Sequence, residues 1–160
     1  MASSEKNLSD VRLSADVDVA TSKFAIVVAE WNEQVTESLY SGAYQTLLTA
    51  GISRENIQRI NVPGTFELSL GGQWMAQRDD VDAVICLGCV IQGETRHFDF
   101  ICDAVAHGIT DVGLKYNKPV IFGVLTTDNV KQALDRAGGK HGNKGDEAAA
   151  TAIKMLAVKC

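Results

Sequence analysis

Two stretches of this chain are apolar without interruption, and they restrict the folds that it can adopt. One runs from Phe24 to Ala29, and the other occupies most of the segment 81–91. A strand with one face in water alternates apolar and polar residues, whereas a strand that is covered on both faces is apolar throughout. Both stretches therefore predict parallel strands in the interior of a sheet.

Shorter strands and helices are predicted between and after these runs. Two more strands are expected, at 57–62 and at 119–125. The turn pair Pro63-Gly64 ends the first of them. Gly51 ends the first helix, and 138–145 are expected to form a glycine-rich loop. Apolar residues at helical spacing predict five helices, which carry in turn Val35, Leu39, Ala43 and Leu47; Phe66, Leu70 and Trp74; Phe98, Ile101, Cys102, Val105, Ile109 and Val112; Val130, Leu134 and Ala137; and Ala149, Ile153 and Leu156.

The alternation of strands and helices fixes the fold class. Parallel strands need long crossover connections, and the predicted helices supply them. We therefore expect an α/β three-layer sandwich, with a four-stranded parallel sheet that is flanked by helices on both faces.

Length and composition suit one domain preceded by an arm. The 160 residues are 46% hydrophobic and 22% charged, which is enough for a packed core. Residues 1–22 lack periodicity and are predicted to be a flexible arm, so 23–160 form the domain.

The net charge of −5 gives no support for nucleic-acid binding. No apolar run approaches the roughly 20 residues that span a bilayer, and no signal peptide is recognisable, so we expect a cytoplasmic protein without a membrane partner.

Cys86 and Cys89 form a C-x-x-C pattern, which in other settings marks a redox pair or half of a zinc site. In a strand, however, residues three apart point to opposite faces, so these two thiols cannot readily meet. We expect both cysteines to be reduced, buried and packed like small hydrophobic residues, and we expect no metal site.

Polar segments follow the first two strands, at the edge where open parallel sheets bind ligands. Glu30-Trp31-Asn32 follows the first strand, although a Trp in this place is more often part of the core. Residues 63–67 follow the second strand and lead into a helix. The backbone amides in the first turn of that helix can bind an anion. Glu67 is there either a ligand for a substrate or an acid favoured by the helix dipole.

The segment after the third strand, 92–97, has the most suitable chemistry. Gly93 lets the backbone approach a ligand, Thr95 offers a hydroxyl and an amide, and histidine, as at His97, gains and loses a proton near neutral pH. A single His at a helix start is usually structural, but His97 would lie beside an anion-binding turn.

Residues 136–145 contain Arg136, Lys140 and Lys144 and no acid, in a chain whose net charge is negative. This concentration of positive charge suits a phosphate or another anion, although a solvated loop can have the same composition. The segment does not match a P-loop, because Asn143 stands where that motif has Gly. From the residues alone, the chain is an α/β domain that binds a small phosphorylated ligand.

Five segments resemble the lumazine synthase family, and together they cover roughly residues 24–156. They are 24–32, 62–68, 87–98, 119–126, and 136–145 with Glu147. One such motif would be weak evidence, whereas five in this order and spacing are specific. The resemblance implies the condensation of 5-amino-6-(D-ribitylamino)uracil with 3,4-dihydroxy-2-butanone 4-phosphate in riboflavin biosynthesis. The products are 6,7-dimethyl-8-ribityllumazine, phosphate and water, and no cofactor or metal is implied.

The resemblance also implies which residues hold the pyrimidine substrate. Trp31 would stack on its ring, together with Phe122 supplied by the neighbouring subunit. Asn32 and Glu67 would form hydrogen bonds with the ribityl chain. Further contacts to this substrate are implied for Thr65, Phe66, Val90 and Ile91.

A second group is implied for the phosphate and for proton transfer. The neighbouring subunit would supply Arg136, which would hold the phosphate with the backbone and hydroxyl around Glu94 and Thr95. His97 would transfer protons during imine formation, phosphate elimination and ring closure. Lys144 would hold the pyrimidine or orient the site, with Glu147 as its partner.

Two positions depart from the pattern of the family. Trp31 stands where many members have Phe; the larger ring should still stack and would allow riboflavin or related flavins to be retained. Glu94 stands where a small residue is common. Its amide can still serve, with the carboxylate directed away from the phosphate.

The resemblance further implies a homo-oligomer. Members form pentamers, and twelve pentamers can close into an icosahedral shell. The tight connection at 138–142 resembles that of shell-forming members, so a sixty-subunit shell is expected, with riboflavin synthase as a further partner. In the family the N-terminal segment joins a neighbour's sheet, and part of 11–22 is expected to do so here.

Three other functions compete with this one. A flavin- or pteridine-binding protein, or a shell protein without activity, would share the scaffold, and a turnover assay would distinguish it. A riboflavin synthase of the archaeal type would use two lumazine molecules, and the phosphate-binding residues argue against it. A flavodoxin-like or receiver domain would have a phosphate loop or an acidic pocket after the first strand, where this chain has Glu30-Trp31-Asn32-Glu33.

Overall fold

The computed structural model describes residues 19–159 and confirms the predicted α/β sandwich. A short 3₁₀ turn, Arg54–Asn56, precedes the second strand. In chain order the elements are β1 (Phe24–Ala29), α1 (Glu33–Thr49), β2 (Ile57–Val62), α2 (Leu68–Ala76), β3 (Ala83–Ile91), α3 (His97–Tyr116), β4 (Val120–Thr127), α4 (Val130–Leu134), β5 (Ala137–Gly139), β6 (Gly142–Asn143) and α5 (Lys144–Lys159).

Four of the strands form one parallel sheet in the order β2-β1-β3-β4. Strands β5 and β6 form a separate antiparallel ribbon. Within the described residues, β2 and β4 are therefore the edge strands of the main sheet, and each has one side that no other strand covers.

The interior strand β1 shows how both faces of the sheet are covered. Phe24, Ile26 and Val28 belong to the core that also contains residues of α1 and α5. The intervening Ala25 and Val27 belong to the core on the other face, with residues of α2 and α3. Every residue of β1 is buried, which explains why its sequence is apolar throughout.

The structure confirms the prediction for Cys86 and Cys89. Both are buried, and they belong to the cores on opposite faces of the sheet. Both are free thiols. Burial raises the pKa of Cys86 to about 12 and that of Cys89 to about 11. The two thiols are therefore protonated at neutral pH and cannot act together as a redox pair.

The helix predicted from Phe66, Leu70 and Trp74 is present as α2, but this stripe is not its buried face. The three residues are 54%, 50% and 50% exposed, and Phe66 precedes the helix. The buried face contains Gly71, where a Cβ atom would lie only 2.8 Å from Cγ1 of Val62. Glycine thus lets α2 approach the sheet closely and leaves its large apolar side chains on the outside.

Two predictions near the end of the chain are wrong. Ala137 lies in β5 and not in the short helix, which ends at Leu134. The segment 138–145 is not a loop, because it contains the turn of the β5–β6 ribbon and the start of α5. Gly138 and Gly142 have φ angles of 103° and 76°, which glycine adopts easily, and they allow the chain to reverse within a few residues.

Most of the predicted arm, 1–18, lies outside the described residues. Val19 is buried in the core on the α1 and α5 side. The side-chain amide of Asn56 donates to the carbonyl oxygen of Ala20 at 3.3 Å. The last residues of the predicted arm therefore pack against the domain, and the domain boundary at 22 and 23 stays a prediction.

Candidate active site

The strand order changes direction between β1 and β3, because the chain goes from β1 to β2 on one side and then to β3 on the other. Open α/β sheets bind ligands at such a point. Trp31 follows β1 there and is 74% exposed. Its amide donates to the carbonyl oxygen of Pro63 at 3.1 Å, which fixes it beside the turn after β2. An exposed indole held in this way offers a flat surface to a planar ligand.

Two predicted site residues meet at one backbone atom of β3, the carbonyl oxygen of Cys89. Asn32 donates to it from Nδ2 at 2.9 Å, and Thr65 from Oγ1 at 3.3 Å. Gly88 makes room for this arrangement, because a Cβ atom there would lie 2.8 Å from Oγ1 of Thr65. The sequence did not indicate a role for Gly88 or for the carbonyl oxygen of Cys89. Neither the close approach of two segments nor a backbone hydrogen-bond acceptor produces a recognisable pattern of residues.

The turn after β2 buries Thr65 and exposes Phe66 and Glu67. Glu67 occupies the N-cap position of α2, but its side chain makes no capping hydrogen bond. Its carboxylate lies near Gly64, where a Cβ atom would be 3.0 Å from Oε2. Because this carboxylate does not cap the helix, it is available to accept a hydrogen bond from a bound ligand.

The loop after β3 leads directly into α3, whose first residue is His97. Glu94, Thr95 and His97 are all exposed. The amide of His97 donates to Oγ1 of Thr95 at 3.4 Å, so the hydroxyl of Thr95 lies at the start of the helix. Val90 and Ile91, at the end of β3, are half-buried. This segment combines a helix N-terminus, which attracts anions, with an exposed imidazole.

The remaining predicted residues lie elsewhere, in a groove of about 1020 Å³ along the edge strand β4. Its walls include residues of α3, β4 and α5, among them Phe122, Lys144 and Glu147, and also Arg136, which directly precedes β5. Phe122 projects from β4 and is 41% exposed. The groove therefore combines an aromatic ring with three cations, Lys118, Arg136 and Lys144, and one acid.

Hydrogen bonds tie the charged residues of the groove together. The amide of Lys144 donates to the carbonyl oxygen of Arg136 at 2.9 Å. Nζ of Lys144 lies 2.5 Å from Oε1 of Glu147, and both side chains are largely buried. Nη1 of Arg136 donates to the carbonyl oxygen of Gln132 at 3.0 Å. Glu147 is engaged by Lys144, and the guanidinium group of Arg136 forms no ion pair with a described carboxylate.

The predicted site residues thus fall into two groups on the described part of the chain. The groove half consists of Phe122, Arg136, Lys144 and Glu147. The other predicted residues do not line the groove. They lie at the carboxyl ends of β1 to β3 and are called the edge half: Trp31, Asn32, Thr65, Phe66, Glu67, Val90, Ile91, Glu94, Thr95 and His97.

The part of the chain from 19 to 159 contains no group of three or more His, Cys, Asp and Glu side chains that could hold a metal ion. That the reaction needs no cofactor stays a prediction. No helix in the same range is both long enough and apolar enough to cross a membrane.

Comparison with known proteins identifies the family. A model of the 6,7-dimethyl-8-ribityllumazine synthase family matches residues 21–159. A protein of that name from Cytophaga hutchinsonii is 70% identical over 158 residues, which cover 98% of each chain. A protein of the same name from Parabacteroides distasonis is 51% identical, over 98% of this chain and 98% of its own. Another from Flavobacterium johnsoniae is 50% identical, over 99% of this chain and 84% of its own. The chain therefore belongs to the 6,7-dimethyl-8-ribityllumazine synthase family.

Proposed function

We propose that the reaction of this family takes place where the edge half of one subunit meets the groove half of another. In this reaction, a transferase step of riboflavin biosynthesis, 5-amino-6-(D-ribitylamino)uracil condenses with 3,4-dihydroxy-2-butanone 4-phosphate to 6,7-dimethyl-8-ribityllumazine. One observation supports the proposal: the groove is lined by only four of the predicted site residues, and the others lie outside it.

The edge half binds the pyrimidine substrate. The exposed ring of Trp31 covers one face of the planar heterocycle, and Phe122 of the neighbouring groove contacts it from another side. Glu67 accepts hydrogen bonds from the ribityl hydroxyls. Asn32 contributes its Oδ1, because its Nδ2 is bonded to Cys89. The turn at Thr65 and Phe66, together with Val90 and Ile91, borders the same substrate.

The phosphate binds where Arg136 of the groove half faces the loop of the edge half. A guanidinium group can hold a phosphate through two parallel hydrogen bonds, and the amides at the start of α3 add donors from Glu94 and Thr95. The carboxylate of Glu94 is exposed and can turn toward solvent. Lys144, held by Glu147, presents its ammonium group to the same groove.

His97 moves protons at the reacting atoms. The amino group of the uracil and the ketone of the sugar phosphate form an imine with loss of water, phosphate is then eliminated, and attack of the ribityl-bearing nitrogen on the remaining carbonyl closes the ring with loss of a second water. Each step needs a proton to be given or taken, and an imidazole can do both near neutral pH. His97 is exposed at the start of α3, next to the phosphate-binding loop. Holding two substrates side by side supplies much of the remaining acceleration.

The divided site requires subunits that pack side by side, and we propose a pentamer that assembles into a sixty-subunit icosahedral shell. Large exposed apolar residues support a homo-oligomer, because monomers rarely expose so many of them: Phe66, Leu70, Trp74, Phe100, Leu114 and Phe122. The unpaired sides of β2 and β4 can also be covered by a neighbour. A cytoplasmic location and riboflavin synthase as a partner stay predictions.

Steady-state kinetics test the proposal. Purified protein is mixed with both substrates under anaerobic conditions, and lumazine fluorescence is followed against a control without enzyme, because the substrates also condense unaided. We expect Arg136→Ala to lower kcat/KM for the sugar phosphate about a hundredfold, since it removes the charged anchor. His97→Ala should lower kcat about tenfold, because proximity continues to act without a proton carrier.

Lys131→Ala is the matched control, because it removes one positive charge from an exposed side chain that pairs with Asp135 outside the groove. It should leave the kinetics unchanged. Full activity of Arg136→Ala would contradict the assignment of the phosphate anchor. If the unaltered protein gave no acceleration, the scaffold would serve binding or packaging instead.

A further inference from the structure

Asn143 has no role in the reaction as described so far, yet its side chain connects two helices at the groove. It ends β6 immediately before α5. Its Nδ2 donates to the carbonyl oxygen of Ser38 in α1 at 2.8 Å. Its Oδ1 accepts from the amide of Gly145 in the first turn of α5, also at 2.8 Å. One amide group therefore bonds to two elements that lie far apart in the sequence.

The helices are so close at this point that the amide group has little room to move. A Cβ atom on Gly145 would lie only 1.9 Å from the carbonyl oxygen of Leu39. A Cβ atom on Gly42 would lie 2.6 Å from Cγ and Nδ2 of Asn143. The two glycines allow α1 and α5 to come into contact, and the side chains of Asn143 and Asp146 both lie against Gly42.

The backbone that Asn143 fixes carries the charged residues of the groove. Lys144 is the next residue, and its amide donates to the carbonyl oxygen of Arg136 at 2.9 Å. Its ammonium group is bonded to Glu147 one turn further along α5. A shift of the chain at residue 143 would therefore move Lys144 directly and Arg136 through the hydrogen bond between their backbones.

We infer that Asn143 is a positioning residue, which holds Lys144 and Arg136 at the place in the groove where the phosphate of the substrate binds. The inference rests on the proposed function, because it assumes that these two cations face the substrate. Asn143 itself touches α1 and α5 and acts on the reaction only through its neighbours.

The test compares Michaelis constants for the two substrates in Asn143→Ala and Asn143→Asp. Asn143→Ala loses both hydrogen bonds, whereas Asn143→Asp keeps the acceptor for Gly145 and loses the donor to Ser38. We expect KM for the sugar phosphate to rise about tenfold in both variants. KM for the ribitylaminouracil should rise clearly less than KM for the sugar phosphate, since the edge half that binds most of this substrate is intact. If Asn143→Ala does not fold, Asn143→Asp provides the measurement, because it keeps the cap of α5.

Ile153→Val is the control for lost stability, because Ile153 belongs to the same core between α1 and α5 but contacts none of these hydrogen bonds. It should lower Tm without changing either KM. Equal changes of both constants, or values like those of Ile153→Val, would overturn the inference. Arg136→Ala is measured in parallel: if it also left KM for the sugar phosphate unchanged, the proposed phosphate site would fail as well.

Discussion

Arg59 and Glu37 form a charged contact that attaches the edge strand β2 to α1. Nη1 of Arg59 donates to Oε2 of Glu37 at 2.9 Å, and Nη2 donates to Oε1. The guanidinium carbon lies 4.3 Å from the centre of the Tyr40 ring, which adds a cation–π contact. The hydrogen bonds from Arg59 lower the pKa of Glu37 in the folded protein. This carboxylate therefore stabilises the fold where it is ionised, and the contribution is lost as the pH falls through its folded pKa.

We expect Glu37→Gln to reduce the free energy of unfolding by about 0.5–1 kcal/mol at pH 7, since the pair is partly exposed. The difference from the unaltered protein should be smaller at acidic pH, because the contribution of Glu37 is lost as the pH falls below the ordinary glutamate pKa and through the lowered pKa of Glu37 in the folded protein. Urea unfolding at pH 7 and at acidic pH, at one protein concentration, measures the effect. Glu30→Gln, at an exposed glutamate without an ion pair among the described residues, is the control. A difference that persists at low pH would show that the charge of Glu37 is not its source.

At the scale of whole elements, the contact between α1 and α5 depends on the absence of a side chain at Gly145. A Cβ atom there would lie 1.9 Å from the backbone oxygen of Leu39, and a backbone atom cannot move aside as a flexible side chain can. We expect Gly145→Ala to lower the free energy of unfolding by about 2–3 kcal/mol, because the helices must separate to accept the methyl group. Thermal unfolding at a fixed protein concentration measures the loss.

Gly93→Ala is the control for this substitution. A Cβ atom at Gly93 would meet no atom within 4 Å, and its backbone is not in the left-handed region. Its Tm should equal that of the unaltered protein within about a degree. An unchanged Tm in Gly145→Ala would mean that α1 and α5 lie further apart than in this structure.

The elements could be predicted from the sequence where one physical pattern dominates. Strand β1 is buried on both sides, and its unbroken apolar run marks its bounds. The buried face of α2 could not be predicted, because it contains Gly71 and Gly72. A search for hydrophobic side chains at helical spacing does not include glycine. The β5–β6 ribbon was missed for a related reason: its glycines resemble a loop, and only the pairing of Ala137 with Asn143 reveals the strands.

The sequence suggests candidate site residues, but it does not reveal the contacts that hold them in place. The polar segments after β1, β2 and β3 do lie at one edge of the sheet, because the carboxyl ends of parallel strands point the same way. Asn143, Gly88 and the carbonyl oxygen of Cys89 were not assigned a role, although they fix Lys144, Thr65 and Asn32. Their contribution lies in backbone hydrogen bonds and close approach, which depend on the folded geometry.

For the whole molecule, the central claim is that a working site needs two subunits. Co-expression of two variants that each have low activity tests it most directly. One variant carries Trp31→Ala and His97→Ala in the edge half, and the other carries Arg136→Ala in the groove half. In mixed oligomers, a site can form from an intact edge half and an intact groove half that belong to different chains.

With equal amounts of both chains, random mixing should restore about a quarter of the activity of the unaltered protein, because each site draws its halves independently. Co-expression of Arg136→Ala with Lys144→Ala is the control, since every site then receives a damaged groove half and no activity should return. Recovery in the first mixture and none in the second is the result that a shared site predicts. If the first mixture had no more activity than its two components, although mixed oligomers had formed, each site would lie within one subunit and the claim would be wrong.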